Sequence, residues 1–447
     1  MESEIKVCSC PNGEIQRVQV VRLPDWRELS FLHLPGSRET LGCFADIYRK
    51  YLVPACPWLF GNMVLFRLPE DVAVPFPEAA STWGAVADRH TAAAILFQKD
   101  LRFLGGKPQF RSKEAEALYG ELEARDCLRL VRGKLPVTTP IPVEDVCGYL
   151  TETAREARLK VNASFFIMDR FDCATVYDHV GTPLGLCVKD GIISNPPLYG
   201  REALLVGMDG KVRIETPRLE ELTLEIRGET YRPGEDARVY TRPGRSRTKR
   251  SADKKLVIIG CRVAAVHTGA SAPIPASGFV LCVPTQSRVQ PGDTVTYRGM
   301  EDILFGIQVG NSIVRDGEKT LSFRSRFYNI RHLEPVPFPP SLYPMDFNKA
   351  RAARIALGAD KNGRPLLLWA EGAGKNRYVP GEDSCGASLK EMADLCAEVG
   401  MVNAVNLDGG GSAQILLRNQ RWLKISDRKA EDNSEAERPV PLALIIP

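Results

Sequence analysis

The sequence predicts an α+β fold in which mixed, largely antiparallel sheets pack with helices. The main observation is a repeated turn signal, because Asp-Gly or Asn-Gly lies between apolar runs at residues 190–191, 209–210, 316–317 and 362–363, and such dipeptides are typical of tight β-hairpins. The composition supports the same prediction of sheet structure, because 32 prolines and 37 glycines favour many short strands and turns over long helices. Helices are expected where capping signals accompany an apolar face, as at residues 388–399.

The predicted helix at residues 388–399 has well-defined ends. Ser388 is an N-cap candidate, and Glu391 completes a capping box three residues later. Gly400 follows the last apolar position, where a helix commonly ends. These signals make this helix the best defined in the chain.

Other elements follow from apolar periodicity and turn residues. Further helices are predicted at residues 44–52, 115–124 and 143–157. Strands are predicted at residues 15–23, 63–68, 92–97, 161–168, 353–358, 366–371 and 404–407. The proline-rich run 335–340 is incompatible with regular structure.

Bulk composition is that of a soluble globular protein, with 44% apolar and 26% charged residues. The formal net charge of +4 is too small to indicate nucleic-acid binding. No run approaches the roughly 18 apolar residues of a membrane helix, and the N-terminus lacks the basic-then-apolar order of a signal peptide. For the chain as given we therefore expect a cytoplasmic protein with no membrane partner; an export signal removed from it is the alternative.

Twelve cysteines are scattered along the chain, most of them in apolar runs, as at Cys187, Cys261 and Cys282. A thiol in such a run is usually buried, so we expect reduced core thiols in a reducing compartment. Cys8 and Cys10 are not followed by a second Cys/His pair at ligand spacing. No zinc or other metal site is therefore predicted.

The best candidate for a functional site is the run Asn-Leu-Asp-Gly-Gly-Gly-Ser at residues 406–412. It begins as a strand, so Asp408 is delivered to a strand end where the backbone continues into glycines. Three glycines allow positive φ angles and let backbone N–H groups converge on an anionic or hydroxyl-rich ligand beside the carboxylate. A flexible turn without a site is the alternative, because a glycine run alone is a weak signal.

This segment resembles the N-L-D-G-G-G-S signature of the phosphodiester glycosidase family. Further family-like segments occur in the same order, at residues 162–166, 182–185 with 190–191, 274–281, 354–358 and 438–440. The resemblance runs from about residue 140 to the end. It divides the chain into an N-terminal extension of unknown role, residues 1–95, and a phosphodiester-glycosidase-like domain, residues 96–447.

The resemblance implies a hydrolase that cleaves the sugar–phosphate bond of a glycosyl-1-phosphodiester, such as an N-acetylglucosamine-1-phosphodiester or a related bacterial-type glycan. It implies a phosphorylated carbohydrate as the partner and no organic cofactor. Glycosidases generally meet the oxocarbenium-like transition state with two carboxylates. We assign that pair to Asp408 and Glu371, and expect them within about 10 Å of each other in one pocket.

A phosphate monoester is a weakly basic leaving group, so its departure depends less on protonation by a strong general acid. Cationic side chains that stabilise its negative charge are more important. Arg354 and Arg438 are the candidates, and the alternative for each is an ordinary ion pair. Substrate-binding candidates at the turn are Gly409, Gly410, Gly411 and Ser412. Asn162 is predicted to hold a sugar hydroxyl, with a cap on its own strand as the alternative.

The chain departs from the family pattern at Ala163, which replaces a glycine, and at residues 371–373, which read Glu-Gly-Ala instead of Asp-Gly-Arg. The longer acid and the missing arginine support a rival function, a non-catalytic module that binds phosphoglycan or a cell-envelope polymer in the same pocket. Nucleic-acid binding through the basic run 242–250 is a weaker alternative, because charge runs in turns are usually solvated. No sequence feature predicts an oligomeric state.

Overall fold

The computed structural model describes residues 1–9, 13–34, 63–66, 69, 71–74, 85–86, 93, 96–97, 100–104, 107–131, 147–168, 174–175, 177–178, 180–242, 245–308, 310, 312–320, 350–373, 378–429 and 431–447. Within these ranges the chain forms mainly antiparallel sheets, and two α-helices are described over their full length, α1 (Lys113–Ala124) and α2 (Leu389–Glu398). The predicted antiparallel sheets are confirmed. The predicted packing with helices is corrected, for the described residues, to a β-rich fold with little helix.

The central sheet has seven strands. From edge to edge they are β1 (Glu2–Ser9), β2 (Ile15–Arg22), β25 (Pro365–Ala370), β24 (Arg354–Asp360), β26 (Met401–Asn406), β22 (Ser312–Arg315) and β23 (Glu318–Lys319). Successive residues of a strand point to opposite faces of its sheet. One face, with Ala356 and Leu368, packs against α2, and the other face, with Leu357 and Trp369, belongs to the largest apolar core.

A second sheet, of five strands, packs into the same core through Val161, Ile415 and Leu444. Its strands, in order, are β28 (Gln420–Arg421), β27 (Ile415–Leu417), β9 (Leu159–Asn162), β29 (Leu442–Ile446) and β3 (Ser30–His33). β9 ends at Asn162, earlier than the predicted strand 161–168. This sheet brings the end of β9 and the start of β27 to the end of β26.

The remaining described strands form further antiparallel sheets. One five-stranded sheet contains β11 (Ile192–Asn195), β10 (Cys187–Lys189), β21 (Ile303–Gln308), β12 (Ala203–Gly207) and β13 (Val212–Glu215). Another contains β16 (Arg238–Tyr240), β19 (Gly278–Val283), β17 (Lys254–Ile259), β18 (Arg262–His267) and β5 (Ala85–Val86). A three-stranded sheet contains β15 (Glu229–Tyr231), β14 (Thr223–Ile226) and β20 (Val295–Arg298), and two pairs are β4 (Met63–Phe66) with β8 (Leu128–Val131) and β6 (Leu101–Leu104) with β7 (Lys107–Phe110).

All four predicted hairpin turns are confirmed. They join β10 to β11, β12 to β13, β22 to β23 and β24 to β25. In the first of these turns Asp190 and Gly191 both have positive φ, 49° and 75°, as a type I′ turn requires. The dipeptides act locally, so they predict these turns without any knowledge of the tertiary structure.

Helix α2 also follows its sequence signals. Ser388 Oγ accepts a hydrogen bond from the Glu391 N–H (3.3 Å), and Glu391 accepts one from the Ser388 N–H (2.8 Å). Met392 and Cys396, on the apolar face of α2, pack against the central sheet. The predicted helix at residues 115–124 is likewise confirmed as α1.

The predicted helix at residues 143–157 is wrong in its described part. Residues 147–157 form a short β-bridge followed by turns. The carbonyls of Leu150 and Thr153 accept hydrogen bonds from the buried Lys160 ammonium. Tertiary contacts therefore satisfy backbone groups that a helix would have paired internally.

The predicted strand at residues 92–97 is also wrong, because Ala93, Leu96 and Phe97 are helical. These three residues are buried in one cluster with the apolar side chains of α1, and their spacing is that of one helix face. A short apolar run does not distinguish a strand from a buried helix. Two predictions, for residues 44–52 and 335–340, lie outside the described residues.

The N-terminal strands join sheets formed by the C-terminal half of the chain. β2 pairs with β25, with Val18 opposite Ala370, and β3 pairs with β29, with Leu32 opposite Ala443. The first part of the predicted N-terminal extension therefore completes the two sheets that meet at Asn162. The predicted boundary near residue 95 stays a prediction.

Seven described cysteines are free thiols, namely Cys8, Cys127, Cys147, Cys187, Cys261, Cys282 and Cys396. Cys385, in the loop before α2, is disulfide-bonded, so the expectation of reduced thiols throughout is wrong for this residue. Cys385 lies outside the apolar runs on which that expectation rests, and its N–H donates to the Ile15 carbonyl (3.0 Å). The reducing compartment stays a prediction.

Within the described ranges, no helix is long and apolar enough to cross a membrane. In the same ranges, no group of three or more His, Cys, Asp or Glu side chains is arranged to hold a metal ion.

Thiol titration tests the disulfide directly. We expect the denatured, non-reduced protein to show at most ten reactive thiols, which is the twelve cysteines of the sequence less the two of one disulfide. After reduction all twelve should react. Twelve reactive thiols before reduction would contradict a disulfide at Cys385.

Candidate functional site

Asp408 lies directly after β26, where the chain leaves the central sheet. The Leu407 N–H still donates to the Ile355 carbonyl of β24 (2.8 Å), whereas the Asp408 N–H donates to the Ala163 carbonyl beyond β9 (3.3 Å). Asp408 Oδ1 then accepts the N–H of Gly409 (2.9 Å). The carboxylate is thus placed at the junction of the central and second sheets.

The three glycines after Asp408 are needed for different steric reasons. A Cβ on Gly409 would lie 2.7 Å from the Ala353 carbonyl oxygen. Gly410 has a φ of +59°, a conformation that residues with a Cβ rarely adopt. A Cβ on Gly411 would overlap Arg438 Nη2 and Asp427 Oδ2. The turn therefore approaches an ion pair more closely than any residue with a side chain allows.

Burial raises the pKa of Asp408 from 3.8 to about 6, because the charged carboxylate loses its hydration. Asp408 is only 7% exposed. The Ser412 hydroxyl, the Arg438 guanidinium, the Gly409 N–H and the Arg354 guanidinium each lower this pKa, but by less in total than burial raises it. Asp408 therefore changes protonation near neutral pH, as groups that act in catalysis often do.

Arg438 is held beside the glycine turn by Asp427. Nε of Arg438 donates to Asp427 Oδ2 (2.8 Å), and Nη2 lies 2.8 Å from the same oxygen. Such an ion pair fixes the orientation of the guanidinium plane. Because the charge of Arg438 also lowers the pKa of Asp408, the structure makes this arginine a neighbour of the Asp408 carboxylate.

Arg354, the first residue of β24, is 4% exposed. Its Nε donates to the Ala387 carbonyl (3.2 Å) and its Nη2 to the Ala350 carbonyl (2.9 Å). Its charge lowers the pKa of Asp408. Two positively charged arginines, each held by other protein groups, therefore act on one buried carboxylate.

Asn162 connects the second sheet to the glycine turn. Its Nδ2 donates to the Asp408 carbonyl (2.8 Å), and its Oδ1 accepts the N–H of Gln414 (2.9 Å). Gln414 in turn donates from Nε2 to the Arg438 carbonyl (2.8 Å). The Asn162 amide therefore holds the backbone on both sides of the turn, and its contact with a sugar hydroxyl stays a prediction.

Two of the glycine amides predicted to contact phosphate are engaged within the protein. The Gly409 N–H donates to the Asp408 carboxylate, and the Gly410 N–H donates to the Ala353 carbonyl (2.8 Å). These bonds hold the shape of the turn. Contact of the turn with a phosphate group stays a prediction.

The buried polar atoms near the turn without a hydrogen-bond partner in the described part of the chain include Ser164 Oγ, Asn406 Oδ1 and Gln414 Oε1. Each of these residues is at most 3% exposed. Buried polar atoms are normally paired.

Glu371 is also buried, with a different set of partners. Its Oε2 accepts a hydrogen bond from Ser384 Oγ (2.5 Å) and pairs with Arg17 Nη1 (3.2 Å). Its Oε1 accepts the Lys424 N–H (2.9 Å). Both carboxylate oxygens are therefore engaged, and the side chain ties together three separate segments.

Strand alternation separates Glu371 from Arg354. Arg354 is opposite Ala370 in the register of β24 and β25, and the residue after Ala370 points to the other face of the sheet. The described contacts of the Glu371 carboxylate are those with Ser384, Arg17 and Lys424. Its assignment as the partner carboxylate of Asp408 stays a prediction.

Sequence analysis missed Asp427, Arg17 and Ser384. Asp427 is 11 residues from Arg438, and Arg17 is 354 residues from Glu371. Local patterns give no signal for such contacts, because each depends on which strands pair. Once β2 is known to pair with β25, the register places Arg17 beside Glu371.

The basic run 242–250 is described except for residues 243–244. Arg242 Nε donates to the Ile274 carbonyl (2.9 Å), and Arg247 donates to Ser271 Oγ (3.0 Å) and to the Ser271 carbonyl (2.7 Å). Two arginines of this run therefore contact a neighbouring loop, and nucleic-acid binding through the run stays an untested alternative.

Residues 267–446 match a family model described as Phosphodiester glycosidase. The matched stretch contains Arg354, Glu371, the Asp408 turn, Asp427 and Arg438. Most of the groups that surround the buried carboxylate therefore lie within the family match.

Curated relatives match a shorter part of the chain. The mouse N-acetylglucosamine-1-phosphodiester alpha-N-acetylglucosaminidase is 39% identical over 71 residues, which cover 16% of this chain and 12% of the relative. The human enzyme of the same name is 41% identical over 66 residues, or 15% of this chain and 11% of the relative. The matches thus span about one eighth of the length of these relatives.

Solved structures show a more distant likeness. A hypothetical protein from Synechocystis aligns over 99% of this chain and 61% of its own, with 15% identity and a TM-score of 0.42. The catalytic domain of zebrafish N-acetylglucosamine-1-phosphodiester alpha-N-acetylglucosaminidase, auto-inhibited by its pro-peptide, aligns over 100% of this chain and 82% of its own, with 13% identity and a TM-score of 0.37. At these TM-scores the likeness supports no statement about the site.

The family model and the curated relatives agree with each other and with the sequence signature at residues 406–412. The C-terminal part of this chain, residues 267–446, is therefore similar to the phosphodiester glycosidase family.

Proposed function

We propose that this protein hydrolyses the sugar–phosphate bond of a glycosyl-1-phosphodiester, with an N-acetylglucosamine-1-phosphodiester or a related bacterial-type phosphoglycan as the substrate class. The observation that carries the proposal is the Asp408 carboxylate, buried at a glycine turn and subject to the charges of two arginines. The names of the curated relatives, which describe that activity, support the same substrate class.

The proposed reaction is a substitution at the anomeric carbon of the sugar. The bond between that carbon and the phosphate oxygen breaks, and its electron pair leaves with the phosphate monoester. Water supplies the hydroxyl group that forms on the anomeric carbon, and its other proton passes to the phosphate monoester or to solvent. Ionised Asp408 stabilises or attacks the oxocarbenium-like centre, and its burial strengthens that interaction because the local dielectric is low.

Arg438 and Arg354 have different parts in this proposal. The Arg438 side chain is 25% exposed, so its guanidinium is accessible to the phosphate as well as to Asp427. Arg354 is 4% exposed and donates to two backbone carbonyls. We therefore assign direct phosphate contact to Arg438, while Arg354 acts through its charge on Asp408 and on the developing negative charge.

A turnover assay on a panel of sugar-1-phosphodiesters tests the proposal. Both products, the free sugar and the phosphate monoester, should appear in equal amounts. Binding of a phosphoglycan without any turnover would instead favour the rival function of a non-catalytic binding module.

Asp408→Asn should abolish most turnover while preserving ligand binding. The substitution removes the charge and keeps the shape, so the loss should appear in kcat, on the order of 10³-fold or more. The measurement is kcat beside the Kd for the same phosphodiester. Asp178→Asn is the control, because Asp178 is a fully buried carboxylate that bonds to Thr175 and Ser277 instead; it should lower stability without a comparable loss of kcat. Unimpaired turnover in Asp408→Asn would remove Asp408 from the mechanism.

The stability of Asp408→Asn relative to wild type should depend on pH. The folded protein binds the Asp408 proton more tightly than the unfolded chain does, since the pKa rises from 3.8 to about 6 on folding. Wild-type stability therefore falls as pH rises between these values, by about 3 kcal/mol in total, and the asparagine variant lacks this loss. Urea unfolding at pH 4 and pH 7.5 should show a relative gain for the variant at the higher pH only. An equal difference at both pH values would contradict the buried, ionisable Asp408.

Asp427→Ala should weaken phosphodiester binding through Arg438. Without Asp427 Oδ2 the guanidinium loses its fixed orientation, and the expected cost is about 1–3 kcal/mol of binding free energy. The measurement is the Kd of an unhydrolysed phosphodiester in the Asp408→Asn background. Asp432→Ala is the matched control, because Asp432 is an exposed carboxylate that bonds only locally to Ser434 among the described residues. Equal affinities in the two variants would show that Asp427 does not act on the phosphate site.

A further inference from the structure

Strand β1 (Glu2–Ser9) lies at one edge of the central sheet. It pairs with β2 along its whole length, from Glu2 opposite Arg22 to Ser9 opposite Ile15. Among the described strands, none pairs with the other side of β1. An edge strand presents a row of N–H and C=O groups to which a further strand can bond. The proposed hydrolysis assigns no role to β1.

The direction of the backbone groups of β1 follows from those of Arg17 in β2. The Arg17 N–H donates to Ser384 Oγ (3.0 Å), and its carbonyl accepts the Glu371 N–H (2.9 Å). Both groups of Arg17 therefore point away from β1. Val7 lies opposite Arg17, and hydrogen-bonded and non-hydrogen-bonded pairs alternate along an antiparallel ladder. The N–H and C=O of Val7 thus point to the free edge, and the same alternation gives this direction to Ile5.

Exposed apolar side chains are concentrated at this edge. In the described ranges six large apolar side chains are exposed, and three of them lie on or beside β1. These are Met1 (46% exposed), Ile5 (43%) and Val7 (68%). Ile5 and Val7 lie on the same face of the sheet, because alternate residues of a strand point the same way. A strand that pairs with β1 would cover both side chains.

The charged residues of β1 indicate which strand that is. Glu2, Glu4 and Lys6 lie on the face opposite to Ile5. In an antiparallel pair of two copies of β1, with Ile5 opposite Ile5 of the partner subunit, Glu4 of each copy lies opposite Lys6 of the partner subunit. The edge-directed backbone groups of the two strands also lie opposite each other in this register, as the ladder requires. Two cross-strand ion pairs therefore accompany the new hydrogen bonds.

Other registers of the same pair are less favourable. The smallest shift that preserves both the ladder and the faces is two residues. In one direction it places Lys6 opposite Lys6 of the partner subunit. In the other direction it shortens the overlap and places Glu4 opposite Glu4 of the partner subunit, although Glu2 then lies opposite Lys6 of the partner subunit. Like charges directly opposite each other are destabilising, so the order of charges in β1 favours the register centred on Ile5.

We propose that β1 is a self-association surface through which two copies of this chain form a dimer. The two β1 strands pair antiparallel with Ile5 at the centre, and the two central sheets become one continuous sheet. Both copies use the same residues about a twofold axis, so the dimer is closed and leaves no β1 edge free for a third copy. This inference is independent of the proposed hydrolysis.

Sedimentation equilibrium of the full chain tests the proposal. We expect the wild-type protein to be a monomer–dimer mixture at concentrations of about 10–100 µM. Glu4→Lys brings a lysine opposite Lys6 of the partner subunit and should raise the Kd of the dimer by about 10-fold or more. Glu2→Lys is the matched control, because it makes the same change of charge at an exposed residue of the same strand and face. In the proposed register Glu2 lies opposite Cys8 of the partner subunit, so this variant should keep the wild-type Kd.

Mixing two variants separates the ion pairs from any local effect of the substitutions, such as the loss of the exposed contact between Glu4 and Arg22 (3.7 Å). Lys6→Glu alone should weaken the dimer as Glu4→Lys does. An equimolar mixture of the Glu4→Lys and Lys6→Glu proteins should dimerise again, because every lysine then lies opposite a glutamate of the other protein. A wild-type protein that stays monomeric across this range of concentrations would overturn the proposal. A wild-type dimer that Glu4→Lys leaves unchanged, or a mixture that stays monomeric, would overturn it as well.

Discussion

The burial of the Asp408 carboxylate is the constraint around which the site is arranged. A carboxylate that loses its hydration is costly unless polar and charged groups replace the water. Here the replacements are the Ser412 hydroxyl, the Gly409 N–H and the guanidinium groups of Arg438 and Arg354. They offset burial only in part, because the pKa of Asp408 still rises to about 6. The incomplete compensation leaves a carboxylate whose charge interacts strongly with whatever binds beside it.

Each compensating group is itself held by the protein. Arg438 is oriented by Asp427, and Arg354 donates to carbonyl groups before β24 and before α2. Gly411 has no Cβ and so allows the Arg438–Asp427 pair to lie against the turn. Asn162 and Gln414 then connect the turn to β9 and to the Arg438 backbone. The electrostatic environment is therefore set by side chains with little freedom to move, as preorganised catalytic sites require.

The segment from Trp422 to Asp427 links three features that the sequence presents separately. It begins directly after β28, donates a backbone N–H to Glu371, and ends at the carboxylate that holds Arg438. Glu371 is thus a connection between this segment and β2, through Arg17. The Glu371 carboxylate therefore stabilises the fold around the site. Its loss would remove one acceptor from the Lys424 N–H, the Ser384 hydroxyl and the Arg17 guanidinium.

Elements that depend on bonds between near neighbours in the chain are predictable from the sequence. Asp-Gly and Asn-Gly dipeptides select the hairpins, Ser388 and Glu391 cap α2, and the run at residues 406–412 predicts the glycine turn. Periodicity failed where tertiary contacts compete with local structure, as at residues 147–157, whose carbonyls bind Lys160.

The tertiary structure alone decided the partners of the charged groups. Glu371 is predicted as part of a catalytic pair from its place in a motif, and only the folded chain shows that it pairs with Arg17, 354 residues distant in the sequence. Asp427 carries no local signal and becomes important only because β27, β29 and the glycine turn bring Arg438 beside it. The physical reason is that hairpin turns and helix caps depend on bonds between near neighbours in sequence, whereas the pKa of a buried carboxylate depends on every charge and dipole that the completed fold places around it.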